Sequence, residues 1–150
     1  MRLPLGRVLL SVSALAAAVG AFVADWNETH IFNPRWPPHA KFHNAQTMLL
    51  GSALGLATLY FLWSRRWRGP RGLEVGTLLA SIYWLTQAGA LLFPGTALTD
   101  PEFADRVPRI GGVLPFNQLA IELVFLTLVA VGFFLERRAL RREAASTPLS

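Results

Sequence analysis

The stretch Ala45–Trp63, AQTMLLGSALGLATLYFLW, runs without a single charge and is followed at once by SRRWRGPRG at 64–72. A bilayer hydrocarbon core about 30 Å thick takes about 20 apolar residues in helix, so 45–63 reads as a membrane span. The arginine cluster behind it reads as a cytoplasmic anchor, because lysine and arginine gather on that side of a membrane. Three further stretches have the same character: Val8–Ala24, Leu73–Phe93 and Leu114–Leu135, each with at most one charged residue. The expected fold is all-α, a four-helix transmembrane bundle in one domain covering 1–150. With 53% hydrophobic and 15% charged residues in 150, the four spans leave no room for a separate soluble domain.

Arg2 and Arg7 precede the first span and Arg65, Arg66, Arg68 and Arg71 follow the second. Arg137, Arg138, Arg141 and Arg142 follow the fourth. The opposite side holds only Arg35, Lys41, Arg106 and Arg109. The asymmetry predicts both termini in the cytoplasm of a cell bounded by, in the simplest case, a bacterial plasma membrane. The first span is expected to be retained. It is longer than a signal-peptide core, and Phe22 is bulky where a cleavage site wants a small residue. The net charge of +5 belongs to these flanks and not to a nucleic-acid groove. Without cysteine there are no disulfides, thiol chemistry or thiolate metal sites.

Small residues at four-residue spacing, Ala16, Gly20 and Ala24 in helix one and Gly51 and Gly55 in helix two, predict close helix packing. The same faces suit a homo-oligomer as well as a monomer. Pro38 and Pro115 suit the first turns of helices two and four, where no backbone donor is needed.

Chemistry concentrates on the extracytoplasmic side. Residues 25–45 read DWNETHIFNPRWPPHAKFHNA and contain all three histidines and two of the five tryptophans. A headgroup belt would account for the aromatics; a ligand site would account for His30, Asn27, Trp36 and Asp25 together. His39 and His43 share a helix face, as a pair of acid/base groups or, with His30, as a metal set, although no complete metal motif is present. Glu122 lies within the fourth span, where a charge costs about 2.5–3.5 kcal/mol and an ionisable group marks a functional position by default. The alternative is a structural hydrogen bond that ties the helices together. Gln118 is one turn from Glu122, and Tyr83 and Gln87 share a face of helix three. All fall in the outer half of the membrane, which predicts a pocket between helices two, three and four. Asp100, Glu102 and Asp105 in the second outer segment are expected to pair with Arg106 and Arg109.

The 25–45 string resembles the signature of a small, largely uncharacterised family of four-helix membrane proteins. In architecture the chain is also similar to the sterol-isomerase and sigma-receptor group and to the DoxX-type membrane proteins. The former resemblance implies that Glu122 and His43 move protons on a lipid-like substrate, although those proteins place more acids within their helices. Two function classes result. One is a membrane enzyme or binding protein for a small lipophilic molecule, with Glu122, His43, His39 and Asp25 catalytic and His30, Asn27, Trp36, Tyr83, Gln87 and Gln118 binding. The other is a non-enzymatic subunit whose outer loop docks a partner protein. Neither names a cofactor.

Overall fold

The computed structural model describes residues 4–146. Arg2, part of the arginine asymmetry, and the Ser/Thr/Pro end at 147–150 lie outside the described residues. Four helices make up the body: α1 (Leu5–Asp25), α2 (Pro38–Trp63), α3 (Pro70–Gly89) and α4 (Gln118–Ser146). A 3-10 turn extends α3 to Leu92, and all four helices are long and apolar enough to cross a membrane. Leu49, Leu56, Leu78, Leu123 and Phe134 are among the large apolar side chains left exposed around the bundle, as lipid contact requires. The chain is a polytopic helical membrane protein.

The helix ends follow local chemistry more than hydropathy. Pro38 opens α2 at a position that needs no backbone donor, so α2 starts seven residues before the apolar run. The expected start of helix four at Leu114, with Pro115 in its first turn, is corrected. Leu114–Pro115 form strand β2, antiparallel to β1 (Arg109–Ile110). Gly111 and Gly112 turn the chain between them at φ of 60° and 73°, a left-handed conformation that glycine adopts without steric penalty. Helix α4 starts only at Gln118, where the Asn117 side-chain oxygen accepts from the Ala120 N–H at 3.3 Å. It then runs past Leu135 to Ser146.

The helices pack in a ring, α1 on α2, α2 on α3, α3 on α4 and α4 on α1, with α1 and α3 touching across it. Gly51 and Gly55 of α2 meet α1 at Ala14, Ala17 and Ala18; a methyl group at Gly51 would stand 2.5 Å from the Ala17 carbonyl oxygen. Gly132 of α4 meets Gly6 of α1 in the same manner. The predicted stripe in α1 behaves differently. Nothing lies within 4 Å of where a Gly20 side chain would begin. Ala16, Gly20 and Ala24 border an open cleft instead of a neighbouring helix.

Polar links also join the helices away from the loops, among them one from the Trp63 indole N–H of α2 to the Ser11 hydroxyl of α1 at 2.8 Å. Buried Ser13 accepts from the Trp84 indole N–H at 2.9 Å, joining α1 to α3. Arg7 donates to Glu136 at 2.6 Å, joining α1 to α4, with Glu136 only 4% exposed. That end carries the arginines and is called the arginine rim below. The opposite end, with segments 26–37 and 93–117, is the loop rim.

Candidate functional site

Asp25 is the last residue of α1, and a hydrogen-bonded turn follows it. The Asn27 amide donates to the Ala24 carbonyl at 2.7 Å, and its oxygen accepts from the Thr29 N–H at 2.8 Å and the Thr29 hydroxyl at 2.6 Å. This is an Asx turn that closes the helix end. It also fixes a histidine. The Thr29 hydroxyl has one proton, spent on Asn27, so the His30 Nδ1 at 2.6 Å from Thr29 Oγ1 must itself be the donor. The other ring nitrogen, His30 Nε2, stands 3.7 Å from Asp25 Oδ1. The other Asp25 oxygen accepts from the Asn44 amide of α2 at 2.7 Å. The Trp36 ring stacks edge-on against His30 at 5.1 Å.

Two cavities meet around this pair. The first is a cleft of about 460 Å³ between α1, α3 and α4. Its polar wall is Asp25, Tyr83, Gln87 and Gln118; its apolar wall includes Val19, Trp84 and Phe125, with Ala16, Gly20 and Ala24 leaving the space. The expected pocket between helices two, three and four is thus corrected: α1 replaces α2, because α2 is sealed against α1 by Gly51 and Gly55. The second cavity, also about 460 Å³, lies under the loop segments and is lined by His30, Trp36, Asp100, Arg106 and Asn117 among others. Gln118 and Ile121 line both. Asp25 on one wall and His30 on the other place their contact at the same boundary.

Glu122 is buried to 2% exposure beside the cleft rather than on its wall. Neither of its oxygens has a hydrogen-bond partner; the Gln118 amide one turn away interacts with it without reaching hydrogen-bond geometry. Tyr83 lines the cleft and lies within electrostatic reach of both Glu122 and Asp25. Among the described residues seven buried side-chain polar atoms lack a partner. Four of them are oxygens in this region: Asn44 Oδ1, Gln87 Oε1 and both oxygens of Glu122. Buried acceptors left without donors are expensive, at about 1–3 kcal/mol each.

The structure does not bring His39 and His43 to this site. Both are exposed on the first turns of α2, with Nε2 atoms 3.1 Å apart. Phe42 stacks on His39, and Gln46 pairs with His43 at 3.2 Å. They share a face, as their spacing requires, but it is the outward one. The His30, His39, His43 metal set is not assembled: among the described residues no three His, Cys, Asp or Glu side chains could hold a metal ion. Asn27 shapes the turn and lines neither cavity.

The loop segments are tied to each other, which corrects the expected pairing within the second one. Glu102 pairs with Arg35 and accepts from the Asn33 amide at 3.2 Å, and Asn33 is 2% exposed. Arg106 reaches across to Glu28 at 3.2 Å. Glu28's own backbone N–H, then Arg106, hold its carboxyl below the ordinary glutamate range. Arg109 donates to the Val113 carbonyl within its own hairpin.

Asn44, which holds Asp25 at the cleft, is a residue that sequence reasoning passed over. For Asn44 a signal existed. The buried positions Met48, Gly51, Gly55, Thr58 and Leu62 of α2 repeat every three or four residues, and one step back falls on Asn44.

No curated protein matches the chain, and no solved structure does. A family model described as a family of unknown function matches residues 9–147, nearly the whole sequence and the site with it. The chain therefore belongs to the family of unknown function DUF6640.

Proposed function

We propose that this protein binds a small lipophilic molecule in the cleft between α1, α3 and α4, and that acid/base chemistry on it uses Asp25, Glu122 and His30. The observation that carries the reading is a three-helix cleft with an apolar wall and one polar end. Among the described residues no arginine or lysine lines it, so a carboxylate or phosphate head would find no counter-charge there. The polar end is rich in acceptors, with Asp25, Gln87 and Gln118 on the wall and Glu122 buried one turn from Gln118. It suits a hydroxyl or protonated amine that donates hydrogen bonds. His30 Nε2 and Asp25 form the proton-exchanging pair at the boundary with the outer cavity. The loop rim faces away from the cytoplasm in this reading, and the arginine rim places both termini inside, in a bacterial plasma membrane.

A photoreactive long-chain alcohol tests this on the purified protein. Crosslinks are expected on the α1, α3 and α4 peptides. Gly20→Leu, whose first side-chain carbon has nothing within 4 Å and whose branch extends into the open space, is expected to abolish them. Equal labelling of wild type and Gly20→Leu rules the cleft out as the ligand site.

The exposed array His39–Phe42–His43, with Phe32 and Trp26 also exposed at the loop rim, supports a second reading. There the same rim docks a partner protein and the cleft holds only bulk lipid. Alcohol labelling that survives Gly20→Leu, together with crosslinking to a partner protein that is lost in a Phe42→Ala, His43→Ala variant, would favour it.

A further inference from the structure

The opposite end of the bundle carries a second, unrelated groove. It lies between the start of α3 and the last turns of α4 and encloses about 220 Å³. Leu73, Phe133 and Leu140 form its apolar floor, and Arg137, Arg141 and Glu74 its polar edge. Arg137 and Arg141 are one helical turn apart, so both guanidinium groups can reach one anion. The Arg137 guanidinium also rests over the Phe133 ring at 5.6 Å. Stacking of this kind fixes the plane of the group while leaving its N–H edge free to donate. Among the described residues neither arginine is in an ion pair with a carboxylate, and neither is Glu74.

We propose that this groove binds a single glycerophospholipid, with its phosphate on Arg137 and Arg141 and an ammonium headgroup on Glu74. Three observations on the page fit that one occupant. The arginines follow directly on the apolar run ending at Leu135, which places them at the depth of lipid phosphates. The floor is apolar, and the volume fits a headgroup and the top of one acyl chain rather than a whole lipid. The edge carries two positive groups and one negative group, which complements a phosphate joined to a primary ammonium better than it complements phosphate alone. Arginine offers phosphate two parallel donors, and a primary ammonium offers Glu74 donors that a trimethylated one lacks. Phosphatidylethanolamine has this chemistry.

The test is thermal stabilisation of the full-length protein in neutral detergent. Phosphatidylethanolamine, phosphatidylglycerol and phosphatidylcholine with identical chains are added in turn, with inorganic phosphate as a separate arm. Phosphatidylethanolamine is expected to stabilise most. Arg137→Gln with Arg141→Gln is expected to weaken its half-saturation by about tenfold or more, as the loss of a bidentate charge-assisted contact should. Glu74→Gln is expected to remove the preference over phosphatidylcholine while leaving binding itself in place. Equal stabilisation by all three lipids overturns the site. Stronger stabilisation by phosphatidylglycerol overturns the assignment of Glu74 and leaves only general attraction to negative lipid. An equal effect from inorganic phosphate shows an anion site and no lipid site. The outcome is independent of the cleft at the other rim, where none of these residues lies.

Discussion

His30 Nε2 stands 3.7 Å from Asp25 Oδ1, and the pair sits at the boundary between a cleft inside the bundle and a cavity beneath the loops. The turn that places His30 is local, closed by Asn27 within three residues on either side. The position of Asp25 is not local: it is held from α2 by Asn44. A two-helix contact thus fixes the one carboxyl group that lines the cleft.

Removing that contact should be felt in both stability and site geometry. Asn44→Leu deletes the 2.7 Å bond to Asp25 and leaves a buried-edge carboxyl group without its donor. A loss of about 1–3 kcal/mol is expected in denaturant unfolding. Asn44→Asp keeps the shape but sets two carboxyl groups against each other, so it should be at least as destabilising at neutral pH and recover toward wild type in acid. A variant pair with no difference between pH 7 and pH 4 would show that Asp25 is not held in this way.

The loop rim should open in acid. Glu28 is exposed, and its carboxyl is held below the ordinary value of 4.5 by its own backbone N–H and by Arg106. A carboxyl group whose pKa is lowered by the folded state contributes stability above its unfolded pKa, and that stability is lost as pH falls through the folded value. Protection of segment 93–117 from proteolysis is therefore expected to hold above about pH 4.5 and to decline below it. Glu28→Gln should lower protection at neutral pH and remove this group's part of the acid transition. Screening in water keeps the effect small, and raised salt should shrink it further.

Two glycines that look alike in sequence should respond in opposite ways to the same change. Gly51 faces the Ala17 carbonyl at 2.5 Å from a would-be methyl group, whereas Gly20 faces open space. Gly51→Leu must separate α1 from α2, an overpacking expected to destabilise by about 1–3 kcal/mol or more. Gly20→Leu should leave thermal stability unchanged or raised. If both variants lose stability equally, the cleft beside Gly20 is closed in solution.

The arginine-rim pair can be dissected by a double-mutant cycle. Arg7→Leu leaves Glu136 buried and unpaired, which is expected to cost about 3–5 kcal/mol. Adding Glu136→Leu should restore most of that loss, because apolar side chains suit this position as well as a buried ion pair does. Additive losses in the double variant would mean that the two residues act independently.

What the sequence made legible was whatever depends on near neighbours. The four spans follow from apolar runs, Pro38 from its missing donor, and the shared faces of Tyr83 with Gln87 and Gln118 with Glu122 from a 3.6-residue turn. The i, i+4 spacing of His39 and His43 says that they share a face but not which face; their outward direction depends on how Gly51 and Gly55 dock α2 on α1. The Ala16, Gly20, Ala24 stripe has the composition of a packing face, yet it borders a cleft, because those same α2 glycines meet α1 on Ala14, Ala17 and Ala18 instead. Arg7 and Glu136 are 129 residues apart, and each alone reads as an end-of-span charge. The Asx turn at Asn27 was within reach of local reasoning, but its consequence for the His30 tautomer needs the distance to Thr29.

Glu122 separates a structural from a chemical role most sharply. A buried carboxyl group with no partner opposes folding, so replacing it with an apolar side chain of similar size should stabilise the bundle. Glu122→Leu is expected to raise unfolding free energy by about 1–3 kcal/mol, whereas Glu122→Gln, still polar and still buried, should stay near wild type. If Glu122 serves the cleft through Tyr83, both variants lose turnover or proton-dependent ligand binding despite their different stabilities. If Glu122 instead ties the helices together through a bond formed in the bilayer, Glu122→Leu destabilises and Glu122→Gln does not. Unfolding in lipid nanodiscs, measured beside labelling by the photoreactive alcohol, distinguishes the two. A residue that weakens the fold yet is required in the cleft is the signature of a group placed for chemistry.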